Sequence, residues 1–248
     1  MYENRKKEKI KACIAVAILI LAIAITGIFS MKYTVEGEKN PPFKLSKITV
    51  VSTAEGVENE GASEKWNFSI YQNNDIYFSI VKNEENDKNE IIENISIENI
   101  KITKAPENGE IKAFMPNSVE GRTFSYSPDY ILEEDNLTYK GASKSNSRTL
   151  EIGNQGGTAI IRFSNIGLGK YISEDDQEIK HDGTMLSKIG LNGESINFEV
   201  NFDLTINLKK KSYTTNITLK LPCGENLVEE GTSSQEINEE FIFRRVKK

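Results

Sequence analysis

Residues 12–31 (ACIAVAILILAIAITGIFSM) carry no charged side chain. A helix rises about 1.5 Å per residue, so about twenty such residues cross the ~30 Å hydrocarbon core of a bilayer. Ile14, Val16, Ile18, Leu19, Ile20, Leu21, Ile23, Ile25, Ile28 and Phe29 leave no polar face, which excludes an amphipathic helix lying in the interface. The run predicts a transmembrane helix over 12–31. It divides the chain into a short basic tail, residues 1–11, and a long part in water.

Arg5, Lys6, Lys7, Lys9 and Lys11 precede the run, whereas only Lys32 follows it immediately. Basic flanks stay on the cytoplasmic side, so the expected orientation is N-terminus inside and C-terminus outside the cell membrane, in a single pass. A cleaved signal peptide shows the same order of regions but needs small residues at both recognition positions before the cut. Ile28 before Ser30 and Ile25 before Gly27 break that pattern, so the expected element is an uncleaved signal anchor. Residues 32–42 (KYTVEGEKNPP) have no apolar period and end in Pro41-Pro42. They predict an extended stalk of about 20 to 30 Å, at ~3.1 Å per residue.

The chain has a net charge of −6; residues 1–11 contribute +3, leaving −9 for the rest. That sign repels phosphates, so neither nucleic acid nor anionic lipid is expected as a general partner. Cys13 lies in the apolar run and Cys223 far beyond it, so they do not pair and no disulfide framework exists. Burial as a small apolar residue is the expected fate of Cys223. The abundance of Lys, Asn, Ile and Glu points to AT-rich coding and a bacterial surface protein. In a chain so rich in Asn, the Asn-X-Ser/Thr matches at Asn67, Asn94, Asn136 and Asn216 carry no weight for glycosylation.

From Phe43 onward the rhythm is strand and turn. Residues 195–221 carry the clearest signal: Ile196, Phe198, Val200, Phe202, Leu204, Ile206 and Leu208 alternate with polar residues, and Tyr213, Thr215, Ile217, Leu219 and Leu221 repeat the pattern after Lys209–Ser212. One face is therefore buried and one wet. A four-residue loop would set Leu208 against Tyr213 and Val200 against Leu221. Trp66–Ile70 and Ile76–Ile80 flank Asn73-Asn74-Asp75 and predict a hairpin. A second hairpin is predicted across 153–157 (GNQGG). Ile95 and Ile97 share one parity, Ile100 and Ile102 the other, so a β-bulge is expected near Glu98-Asn99. Residues 117–147 are the least regular and would hold one or two short strands between long connections.

Many short strands, few helices and no βαβ alternation predict an all-β ectodomain over 43–248, an antiparallel β-sandwich of immunoglobulin-like or jelly-roll-like type. It comprises one domain, or two divided near 117–147.

No catalytic constellation is expected. The single His181 stands in a polar loop with no nucleophile turn. Asp175, Asp176, Glu178 and Asp182 supply hard oxygen ligands suited to Ca²⁺, the one cofactor worth weighing, but their spacing is not that of a helix–loop–helix calcium loop. Ser79-Ile80-Val81-Lys82 matches S-x-x-K inside a strand, where Ser79 and Lys82 face opposite sides. Trp66 alternates with Phe68 and Ile70 and is expected in the core rather than on a sugar-binding face. The expected role is non-catalytic binding or scaffolding of a protein partner in the envelope or extracellular space. The alternative is a Ca²⁺-dependent carbohydrate-binding module or hydrolase using the acidic loop 173–183.

Overall fold

The computed structural model describes residues 2–35, 37–38, 40–59, 66–117, 123–173, 184–224 and 226–246, with side chains excepted for 2–13, 32–35 and 173. One long helix, α1 (Tyr2–Val35), precedes β1 (Phe43–Glu58), β2 (Trp66–Lys82), β3 (Ile92–Lys104), β4 (Glu110–Phe114), β5 (Asn136–Gly141), β6 (Glu151–Ile152), β7 (Gly156–Ile166) and β8 (Lys170–Ser173). Short helices α2 (Thr184–Lys188) and α3 (Gly193–Ile196) follow, then β9 (Phe198–Leu208), β10 (Ser212–Leu221), α4 (Leu227–Glu230), β11 (Thr232–Ile237) and β12 (Arg244–Val246).

These strands form the predicted sandwich. The first sheet runs β11-β1-β2-β7-β4, with β8 also on β2; the second runs β12-β10-β9-β3-β5-β6. All described pairings are antiparallel except β5 with β6. Alternation does the work the sequence implied: Ile48, Val50, Ile76, Phe78, Ile161 and Phe163 from the first sheet meet Ile95, Ile97, Phe202, Leu204 and Ile206 from the second in one apolar core. At its centre the ring of Phe202 meets Phe78 edge-on at 5.6 Å and stacks on Phe163 at 6.5 Å. The core takes residues from both sides of 117–147, and β5 within that stretch pairs with β3.

The bulge lies where parity required it. The β3–β9 register shifts between Glu98 and Lys101, and Asn99 adopts φ +56°, a conformation that Asn tolerates better than most residues. Ile100 is buried, whereas Ile102 reaches past the core and stays exposed.

Both hairpins predicted at asparagine and glycine clusters need correction, although the chain does turn at 153–156, where the Gly156 N–H donates to the Gly153 carbonyl (3.2 Å). Residues 73–75 do not reverse the chain: β2 runs straight through them, and Gln72, Asn73 and Asn74 are buried. Asn favours turns because its side chain competes for nearby backbone groups. Here that side chain is taken by distant partners. Asn74 accepts from Ser52 Oγ (2.8 Å) and donates to the Phe163 carbonyl (3.1 Å), and Asn73 Oδ1 accepts from Ser164 Oγ (2.6 Å). Residues 153–157 likewise do not join partners in one sheet. They carry the chain from β6 in the second sheet to β7 in the first. At that crossing Tyr139 of β5 donates to the Ile160 carbonyl (2.6 Å) and accepts from the Ile160 N–H (3.0 Å), which ties the two sheets together.

The β9–β10 hairpin keeps the predicted faces with a register two residues tighter: Tyr213 opposes Ile206 and Leu221 opposes Phe198. The Leu208 N–H donates to the Lys211 carbonyl (2.8 Å), so only Lys209 and Lys210 make the turn. A slip of two preserves which face is buried; a slip of one would have inverted it.

In the segment expected as an extended stalk, 32–42, several described residues contact the domain. Helix α1 continues to Val35, and Gly37, Pro41 and Pro42 are buried. Glu38 N–H donates to the Phe243 carbonyl (3.0 Å), Asn83 donates to the carbonyls of Pro42 (backbone, 2.9 Å) and Pro41 (side chain, 2.9 Å), and Asn86 Nδ2 donates to that of Asn40 (2.7 Å). The proline segment lacks N–H donors but keeps its carbonyls, and the asparagines of the 83–90 loop supply the donors it needs.

Candidate functional site

The linker enters the sandwich beside the start of β1. The 16 residues of β1, at about 3.3 Å each, place Glu58 roughly 50 Å from Phe43. At that far end a second apolar cluster of Phe68, Ile70, Leu168, Met185, Leu186, Ile196 and Leu227 packs beneath α2, α3 and α4. Trp66 lies against this cluster with its ring 6.0 Å from that of Phe68.

Helix α3 starts in a reciprocal cap: Asn192 Oδ1 accepts from the Ser195 N–H (2.9 Å), and Ser195 Oγ accepts from the Asn192 N–H (3.2 Å). Beside the cap lies an open groove of about 840 Å³ bordered by Glu194, Asn197, Pro222, Gly224, Ser234 and Gln235. It continues past Asn197 and Pro222 into a hollow of about 330 Å³ bordered by Lys104, Glu199, Lys220 and Leu221. Cys223, between the lining residues Pro222 and Gly224, is itself buried. Its N–H donates to Ser52 Oγ (3.0 Å) and its thiol reaches the Val50 carbonyl (3.4 Å), so the thiol is buried as expected. Amides, hydroxyls and side chains of both signs line these two hollows, Glu194 and Glu199 acidic and Lys104 and Lys220 basic.

A second polar cluster lies on the outer face of the first sheet. Tyr126 donates to Glu55 Oε2 and accepts from Asn73 Nδ2 (2.6 Å), with its ring stacked on Tyr71 at 4.5 Å. Arg162 grips Asp75 through two nitrogens (2.5 and 2.9 Å) and lies 4.4 Å from the centre of the Phe124 ring. These contacts clamp residues 123–127 onto the sheet, with Arg162 paired to Asp75 and Glu55 accepting from Tyr126 and Asn73.

Burial, then the hydrogen bond to Glu55, raises the Tyr126 pKa well above the ordinary tyrosine value; burial and Asp75 raise that of Tyr77. A raised tyrosine pKa favours the folded state in full below the unfolded value and loses that contribution as pH climbs above it. Stability is therefore expected to fall from about pH 10 upward, and Tyr126→Phe should fall less steeply. Urea unfolding followed by the fluorescence of Trp66, at intervals from about pH 8 to about pH 11, reads the difference. Parallel slopes for the two proteins would contradict the assignment.

Of the residues singled out in sequence, Asp175, Asp176, Glu178, His181 and Asp182 lie outside the described residues. Among the described residues no group of three or more His, Cys, Asp or Glu gathers to hold a metal. Ser79 and Lys82 sit in β2 as alternation required, with the Ser79 carbonyl accepting from Ser46 Oγ (2.9 Å). The groove residues were not legible in sequence, because polar residues on the wet faces of strands and in the short segments between them look alike until the fold brings them together. No family model, curated protein or solved structure matches the chain.

Proposed function

We propose that this chain is a single-pass, membrane-anchored ectodomain of the cell envelope, with its N-terminus in the cytoplasm and its sandwich outside, serving a non-catalytic binding or scaffolding role. The observation that carries the reading is the exposed helix: no residue of Ile14–Met31 is buried against the rest of the chain. Ten large apolar side chains from Ile14 to Phe29 stand between 45% and 66% exposed. Water would penalise that surface, and a bilayer removes the penalty. The basic flank before the run supports the orientation.

Two measurements test this. Mass spectrometry of the mature protein should find the N-terminal residues still attached. Protease added to intact, wall-stripped cells should digest the sandwich while a tag at the N-terminus survives until lysis. Protection of the sandwich in intact cells, or a mature chain starting after residue 30, would overturn the anchor and its orientation. The binding role predicts that in-cell crosslinking yields the same protein partner in independent preparations, and reproducible recovery of none would sink it.

A further inference from the structure

The tripeptide Asn-Gly-Glu occurs twice, at 108–110 in the turn between β3 and β4 and at 192–194 where α3 begins. Asparagine before glycine is the pair most prone to lose its side-chain amide, because glycine has no Cβ to shield its backbone nitrogen from the neighbouring carboxamide. Both asparagines are exposed. The flanking sequence and access to water therefore do not distinguish the two sites, whereas their hydrogen bonds do.

Asn192 is held by its side chain. Its Oδ1 accepts from the Ser195 N–H (2.9 Å) and its backbone is extended at φ −126°, ψ 170°, so a ring closing on the Gly193 nitrogen would cost α3 its cap. Asn108 is held by its backbone instead: its N–H donates to the Ser195 carbonyl (3.0 Å) and its carbonyl accepts from Asn165 Nδ2 (2.9 Å). Its carboxamide makes no hydrogen bond among the described residues, and the Gly109 N–H has no backbone acceptor there. The side chain is thus free to swing its Cγ toward the Gly109 nitrogen. The fold also requires glycine at this position, since Gly109 has φ +87° and a Cβ on it would run into Asn165 Oδ1 and the Ile166 carbonyl, whereas a Cβ on Gly193 would meet nothing within 4 Å.

We propose that Asn108 is a site of spontaneous deamidation in the folded protein, and that Asn192 is spared because its side chain caps α3. The Gly109 amide gives its proton to hydroxide and its nitrogen bonds to Asn108 Cγ. The Cγ–Nδ2 bond breaks, and Nδ2 leaves as ammonia with a proton taken from water, which gives a succinimide. Water then opens the ring at Cγ to yield aspartate, or at the backbone carbonyl carbon to yield isoaspartate. Either product places a new negative charge between Glu107 and Glu110. Isoaspartate also inserts a methylene into the chain that leads into β4, the edge strand of the first sheet.

The full chain, aged in detergent micelles in mildly alkaline buffer, provides the test. Peptide mapping by mass spectrometry reads the gain of about 1 Da at each asparagine and separates aspartyl from isoaspartyl peptides. Asn108 should convert at least about tenfold faster than Asn192 while Trp66 fluorescence stays native. In concentrated urea the capping bond is lost, and the two rates should come within about threefold of each other. Asn108→Gln, whose longer side chain closes a less favourable ring, should keep the native fluorescence and gain no mass at residue 108 over the same period. Equal rates in the folded protein, no conversion at Asn108, or a mass gain at residue 108 of the glutamine variant would overturn the assignment. So would an excess at Asn108 that persists undiminished in urea, because the difference would then lie in the flanking residues and not in the fold.

Discussion

Replacing Phe202 with alanine is expected to lower the unfolding free energy of the sandwich by about 4 kcal/mol, the cost of removing a large buried ring and leaving a cavity between sheets that relax only in part. Phe202 is fully buried and is the point where the sheets meet, with Phe78 edge-on and Phe163 stacked against it. For a domain of this size the loss corresponds to a fall of roughly 10 °C in the melting midpoint. The single Trp66 reports it from the far end of the domain. Phe202→Leu, which keeps more of the volume, should cost about 1.5 kcal/mol. A loss below about 1 kcal/mol for the alanine variant would mean that the two sheets do not share a core at this position.

Asn74→Leu should be nearly as damaging, at about 3 kcal/mol, although it puts an apolar residue into an interior. The asparagine is fully buried. It accepts from Ser52 Oγ (2.8 Å) and Gln72 Nε2 (2.9 Å), and it donates to Gln72 Oε1 (3.1 Å) and the Phe163 carbonyl (3.1 Å). Leucine would take from the buried Gln72 Oε1 and the Phe163 carbonyl the donor Asn74 supplies, while Gln72 Nε2 keeps its bond to the Asn73 carbonyl (2.9 Å), and unmet buried polar groups cost more than the bonds themselves contribute. Urea unfolding of the variant with Trp66 as reporter is the measurement. A neutral or stabilising result would show that the buried amides are satisfied by other means.

The two substitutions probe different sources of order in a sandwich that has no disulfide. Phe202 represents apolar burial, which sets the magnitude of stability. The Gln72–Asn74 stretch represents directed bonds between β1, β2 and β7, which help select one register among those that alternation alone would allow. Ser52 joins the two: it donates to Asn74 Oδ1 and accepts from the Cys223 N–H (3.0 Å), so the end of β10 is tied to the first sheet through a hydroxyl.

The strands with strong alternation were legible because burial of successive side chains on one face leaves a period of two in the chain itself. That is why the faces of β9 and β10 and the bulge at Asn99 follow from counting. The exact β9–β10 register did not follow, since a shift of two preserves every face and only the tight turn at Lys209 and Lys210 distinguishes the alternatives. Strand β11 (TSSQEI) was missed altogether: most of its side chains are exposed, so it has no buried set to alternate. Its place in the sheet comes from backbone pairing with β1.

By itself, the order of residues determined that an uncharged apolar run precedes a water-facing β structure and which side of its best strands turns inward, because both are local properties of consecutive side chains. Only the tertiary structure decided which strands become neighbours, that the prolines at 41 and 42 are buried against Asn83, and that Asn73 and Asn74 lie within a strand. Those outcomes depend on partners far along the chain: Asn73 meets groups 53 and 91 residues away in Tyr126 and Ser164, and Ser52 meets Cys223 across 171. A hydrogen bond between distant residues leaves no period in the intervening sequence, yet its energy is enough to override a local turn preference once packing has brought the two ends together.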